Sequence, residues 1–114
     1  MLDMSVKALY AVSTAADATI TLDSPIGQRW SIGGIAWSYE GGTLSTDAEL
    51  TIWATASGVL SNIIFSIDIN DDGAGFIIPS EPIKFPPNLA IVFDLTSGGV
   101  GVVGKLNILG AKRV

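Results

Sequence analysis

From residue 17 onward the chain alternates apolar and polar positions with a period of two. Ala18, Ile20 and Leu22 fall on one side and Thr19 and Thr21 on the other, the pattern of a strand with one face in a core and one in water. Asp23-Ser24-Pro25-Ile26-Gly27 supplies a turn. Between Gln28 and Tyr39 the apolar set begins on even positions, Trp30 and Ile32, and resumes on odd ones, Ile35, Trp37 and Tyr39. The slip falls on Gly33-Gly34, where missing Cβ atoms let the backbone form a β-bulge or carry a strand from one sheet to another.

Beyond Gly41-Gly42 the even set Leu44, Ala48, Leu50, Ile52 and Ala54 leaves Trp53 on the opposite face. Ile63, Phe65, Ile67 and Ile69 then alternate with Asn62, Ser66 and Asp68 to give the clearest strand of all. A turn over residues 70–75 leads to a short strand at 76–78. Pro79, Pro82, Pro86 and Pro87 confine residues 83–85 to an edge or a bend, since proline donates no ladder hydrogen bond. Segments 89–95 and 100–109, separated by Ser97-Gly98-Gly99, complete the set. About eight short strands, punctuated roughly every 10 residues, predict an all-β antiparallel β-sandwich of jelly-roll-like form. It is read as one domain over residues 17–114, with residues 1–16 as an N-terminal arm or an edge strand and a possible helical turn near 7–12.

A chain of 114 residues builds one core and not two. Hydrophobic residues make up 48% and charged ones 15%, which excludes a disordered chain. The chain has no cysteine and no histidine, so it lacks disulfides, thiolate sites and the usual general base. A formal charge of -5 repels a phosphate backbone, and no apolar run approaches the roughly 18 residues of a membrane-spanning helix. Neither nucleic acid nor membrane is therefore expected as a partner. The start of the chain reads as mature sequence, because Asp3 interrupts a leader-like charge pattern and the apolar stretch 8–12 is short.

Four constellations invite chemistry and each has a plainer explanation. Asp68, Asn70 and Asp72 before Gly73 match the first half of a calcium loop, yet Pro79 stands where a bidentate glutamate belongs, so an Asx-rich hairpin turn is favoured over a cation site. Gly99-Val100-Gly101-Val102-Val103-Gly104-Lys105 matches two phosphate-loop patterns, but Leu106 replaces the required Ser or Thr and too little chain follows for the helix that both need. A glycine-rich last strand packed against a neighbour fits better. Asp47 and Glu49 share one face of a strand, which does not make the facing pair of a glycosidase. Trp30 and Trp37 fall in apolar alternation and belong to the core; Trp53, between Thr51 and Thr55, is a surface aromatic for sugar or protein. No catalytic, cofactor or metal residues are assigned, and an enzyme is not expected.

Six basic and eleven acidic residues are thin cover for a domain this apolar. Ile64, Trp53 and Val92 fall on faces turned away from the main apolar set, and a small sandwich has only one interior. Part of the exterior is therefore expected to be buried against other subunits.

Three segments carry a resemblance: Gly27-Gln28-Arg29-Trp30-Ser31-Ile32-Gly33-Gly34-Ile35 before Trp37-Ser38-Tyr39; Gly73-Ala74-Gly75-Phe76-Ile77-Ile78-Pro79; and GGVGVVGKLNILG from Gly98 to Gly110. Over residues 17–110 the chain resembles small structural proteins of tailed bacteriophages, above all the β-sandwich decoration or cement proteins of the head. The resemblance implies a non-enzymatic virion protein, assembled in the host cytoplasm, that binds the major capsid protein as an oligomer, commonly a homotrimer, and stabilises the lattice. An extended terminus often reaches an adjacent subunit in such proteins, and residues 1–16 would fill that role. A tail or head-fibre component and a carbohydrate-binding β-sandwich module are the alternatives, with a small hydrolase behind them.

Overall fold

A computed structural model describes residues 7–23, 25–45, 47–55, 62–69 and 74–114. They form ten strands and no helix: β1 (Lys7–Thr14), β2 (Ala18–Leu22), β3 (Trp30–Ile32), β4 (Gly34–Glu40), β5 (Glu49–Thr55), β6 (Asn62–Asp68), β7 (Ala74–Ile77), β8 (Ile83–Lys84), β9 (Ala90–Leu95) and β10 (Val103–Arg113). The anticipated strand over residues 28–39 is interrupted at Gly33 into β3 and β4, and residues 7–14 add β1, which accounts for the larger number.

All pairings are antiparallel and nested. β1 pairs β10, β2 pairs β9, β4 and β3 pair β7 and β8, and β5 pairs β6. The chain is thus one long hairpin four strand-pairs deep. It is rolled so that β10 also pairs β4 and β3 while β9 also pairs β5. This is the strand order of an eight-stranded jelly roll. Sheet I runs β1, β10, β3–β4, β7–β8, and sheet II runs β2, β9, β5, β6.

The inner faces meet in one core. Ile20, Leu22, Leu50, Ile52, Ile91, Phe93 and Leu95 of sheet II face Ile32, Ile35, Trp37, Leu106 and Ile108 of sheet I, all buried. Each such side chain contributes on the order of 1.5–3 kcal/mol by leaving water. Phe85 meets Phe93 edge-on at 6.0 Å between ring centroids. Trp30 and Trp37 lie in this core as their alternation predicts. The indole of Trp37 crosses Gly75, where a Cβ would come within 2.6 Å of the ring.

The parity slip at Gly33-Gly34 is real, but it is not a bulge against β10. Gly34 pairs Leu109 and Ser31 pairs Lys112, so the register is the same on both sides and no residue is inserted. Instead both strands turn over together. The inward set of β10 passes from Leu106 and Ile108 to Ala111 across Gly110, which sits at φ 64°. That left-handed conformation is open to glycine at little cost. The bulge appears on the other side of β10, where the pairing with β1 shifts between Lys7 and Leu9.

The helical turn entertained near residues 7–12 is absent: Lys7–Thr14 is β1, an edge strand of sheet I. Its neighbour β10 has eleven residues and satisfies the β1 backbone along most of its length, which favours extension over a lone helical turn.

Candidate assembly surface

The outer face of sheet I is built by four strands whose inward residues are fixed by the core. Because Leu9 and Ala11 pack inward, Tyr10 and Val12 on β1 point out. Because Leu106 and Ile108 are buried, Lys105, Asn107 and Leu109 on β10 point out. Cross-strand registers then line up one row as Tyr10, Asn107, Ala36 and Phe76, and the next as Val12, Lys105, Ser38 and Ala74. Leu109 stands opposite Gly34. A Cβ on Gly34 would meet Ile78 Cγ1 at 3.2 Å and Leu109 Cδ1 at 3.5 Å, so those two side chains close over the glycine.

Of the eight large apolar side chains exposed among the described residues, five belong to this face: Tyr10 (73% exposed), Phe76 (70%), Ile78 (62%), Val12 (52%) and Leu109 (37%). Tyr10 and Val12 form one ridge, Phe76 and Ile78 another. The floor beside Phe76 and Ile78 is Ala36 and Ser38. The charged side chain on these rows is Lys105, which Glu40, two positions beyond Ser38 on β4, neutralises at 2.6 Å. An exposed apolar face of this extent is the signature of a surface that is covered in use.

The outer face of sheet II is chemically different. Thr19, Asp94, Thr51 and Ser66 share one row, and the Thr19 hydroxyl donates to Asp94 Oδ1 at 3.0 Å. Burial raises the Asp94 carboxyl above its ordinary value against the pull of Thr19, and Asp17 and Glu49 push it the same way as burial. At the same end, the Tyr39 hydroxyl donates to the Thr96 carbonyl at 2.6 Å, and burial pushes it up to about 12.

The residues singled out for chemistry are not brought together. Asp47 lies in the turn before β5, where its N–H donates to Ser45 Oγ, and not on a strand face with Glu49. Asp68 ends β6 and is exposed; Asn70, Asp72 and Gly73 lie outside the described residues. Among the described residues no group of three or more carboxylate, histidine or cysteine side chains gathers as a metal site requires. Gly99 and Gly101 take positive φ in the turn before β10, and Gly104 packs on Tyr39, at 3.3 Å from where its Cβ would stand to Cε1. The phosphate-like motif therefore runs into a strand. Trp53 is half-buried beside Val92 on sheet II.

An apolar pocket of about 190 Å³ opens between the sheets, lined by Ile35, Ile52, Phe65, Ile77, Ile83 and Phe85. It offers no polar group to orient a substrate. The apolar exterior is anticipated around Ile64, Trp53 and Val92; the Ile64 side chain lies outside the described residues, and among those described the exposed apolar area is found chiefly on sheet I. The signal was present in the even-numbered pairs Tyr10/Val12 and Phe76/Ile78, but only the register joins them. No family model matches the sequence, and no curated protein matches it either.

Proposed function

We propose that this chain is a non-enzymatic structural protein of a tailed-phage particle, a head decoration protein that binds and stabilises the capsid lattice as an oligomer. The observation that carries the proposal is the apolar outer face of sheet I. Five large side chains there stand in water on a rigid jelly roll, and such a face serves by being packed against protein. The resemblance to phage decoration proteins supplies the larger partner, the major capsid protein. A tail or fibre protein would need the same face for its own oligomer.

The test is co-sedimentation of the purified chain with tailed-phage heads stripped of their own decoration proteins, followed by imaging. Saturable binding at fixed lattice positions is the expected result, with Phe76→Lys impaired and Thr21→Lys unimpaired. Absence of binding to any head, tail or fibre preparation overturns the proposal. Quenching of Trp53 fluorescence by glycans would replace it with the carbohydrate-binding reading.

A further inference from the structure

Resting on that reading of the sheet I face, we infer that its occupant is the same face of a second copy, related by a twofold axis. A contact between unlike surfaces needs two complementary apolar patches on one chain. The described residues offer one. The remaining exposed large side chains are scattered: Ile26 in the turn before β3, Val100 in the turn before β10, and Phe65 on β6 of the other sheet. A face with no second patch to pair with among the described residues pairs with itself in an isologous contact, which closes at two copies.

Charge selects the same partner. The chain carries -5 overall, so copies repel one another in most orientations. On the rows of this face the Lys105–Glu40 pair cancels, so two such faces approach without net repulsion. Shape agrees as well. The Phe76/Ile78 ridge beside the low floor of Ala36 and Ser38 lets the ridge of one copy settle on the floor of the other at the spacing of roughly 10 Å usual for stacked sheets. The five apolar side chains expose on the order of 600 Å². With Asn107, Lys105, Ser38 and Ala74 around them, the face approaches the roughly 800 Å² per partner of a stable interface.

Absence of cysteine makes the test clean. Sedimentation of the full chain at micromolar concentration is expected to show a dimer. Phe76→Lys, and independently Tyr10→Lys should the first fail to fold, is expected to weaken it by about 30-fold or more; Thr21→Lys on sheet II is expected to leave it unchanged. Ser38→Cys, near the middle of the face, should join two copies through a short bismaleimide, and Thr21→Cys should not. A monomer throughout, a trimer, or a dimer indifferent to Phe76→Lys and Tyr10→Lys overturns the inference. Run beside the particle assay, the outcomes separate: a twofold dimer that binds no particle sinks the decoration reading alone, and a particle-binding trimer sinks the twofold alone.

Discussion

The two outer faces of the sandwich are both turned from the core by the same alternation, yet they differ in what they leave for water. On sheet II the outward positions open to water include Thr19, Thr21 and Ser66, with Asp94, Trp53 and Val92 half-buried among them, and the hydroxyl of Thr19 is engaged with the Asp94 carboxylate. Threonine keeps the β-branched shape that suits a strand while offering a hydroxyl. On sheet I the corresponding positions hold Tyr10, Val12, Phe76, Ile78 and Leu109, which offer area. Strand geometry is satisfied equally by either choice. The difference teaches that the identity of outward residues, and not the period, separates a face made for solvent from one made for contact.

The largest expected effect asks whether sheet I keeps its structural and associative roles on opposite sides. Leu106 is fully buried on its inner side. Leu106→Ala should lower unfolding free energy by about 2–5 kcal/mol. Tyr10→Ala, on the neighbouring strand but facing out, should cost less than about 1 kcal/mol. Urea unfolding of dilute protein measures both, and equal losses would show that the outer face holds up the fold.

A second change probes the end where the sheets are tied by Tyr39. Tyr39→Phe removes the hydrogen bond to Thr96 and leaves its carbonyl unpaired, for a loss of about 1–2 kcal/mol. The folded hydroxyl titrates near 12 against 10.0 when unfolded. Its stabilisation is therefore fully present below pH 10 and is lost as pH rises through 12. The variant should lack that alkaline decline, and urea midpoints between pH 8 and 11 would reveal it.

Smaller still is the effect of easing sheet II. The folded Asp94 carboxyl titrates above its ordinary 3.8, so its contribution is fully present below that pH and is lost as pH rises through the raised value. Asp94→Asn cannot ionise and keeps an acceptor for Thr19. Its melting temperature should exceed that of the native chain at pH 7, with the gain vanishing near pH 3.8. A melting temperature at pH 7 equal to or below the native one would show that the carboxylate is not under strain there.

How far the sequence discloses this comparison depends on the strand. β2 and β4 alternate apolar against polar or small residues, and β5 and β9 do so apart from the outward Trp53 and Val92, so their inward sets are legible at once. β1 is not, because Leu9 and Ala11 face in while Tyr10 and Val12 face out. With both faces apolar, a period of two leaves no trace in polarity. β10 reads short for a related reason: its inward set changes parity at Gly110 and resumes at Ala111. The sheet I face itself is a product of pairing. Tyr10 and Phe76 are brought into one row by two strands between them, and no local pattern encodes that register.

The least effect on the fold is the sharpest on the contact. Lys105 and Glu40 are 41% and 61% exposed, and pairs so open to water contribute about 0–1 kcal/mol to stability. Glu40→Gln should therefore leave the melting curve of the dilute protein nearly unchanged. It also leaves Lys105 uncompensated among the apolar side chains of its row and the next, and a twofold contact sets that charge against its own copy. Association should weaken several-fold at low salt and recover near 1 M, where screening acts within about 3 Å. Adding Lys105→Met to Glu40→Gln restores neutrality and should restore association without salt. If sedimentation finds the single variant as strongly associated as the native chain at low ionic strength, these charges lie outside the contact and the two outer faces do not divide the work of solubility and assembly between them.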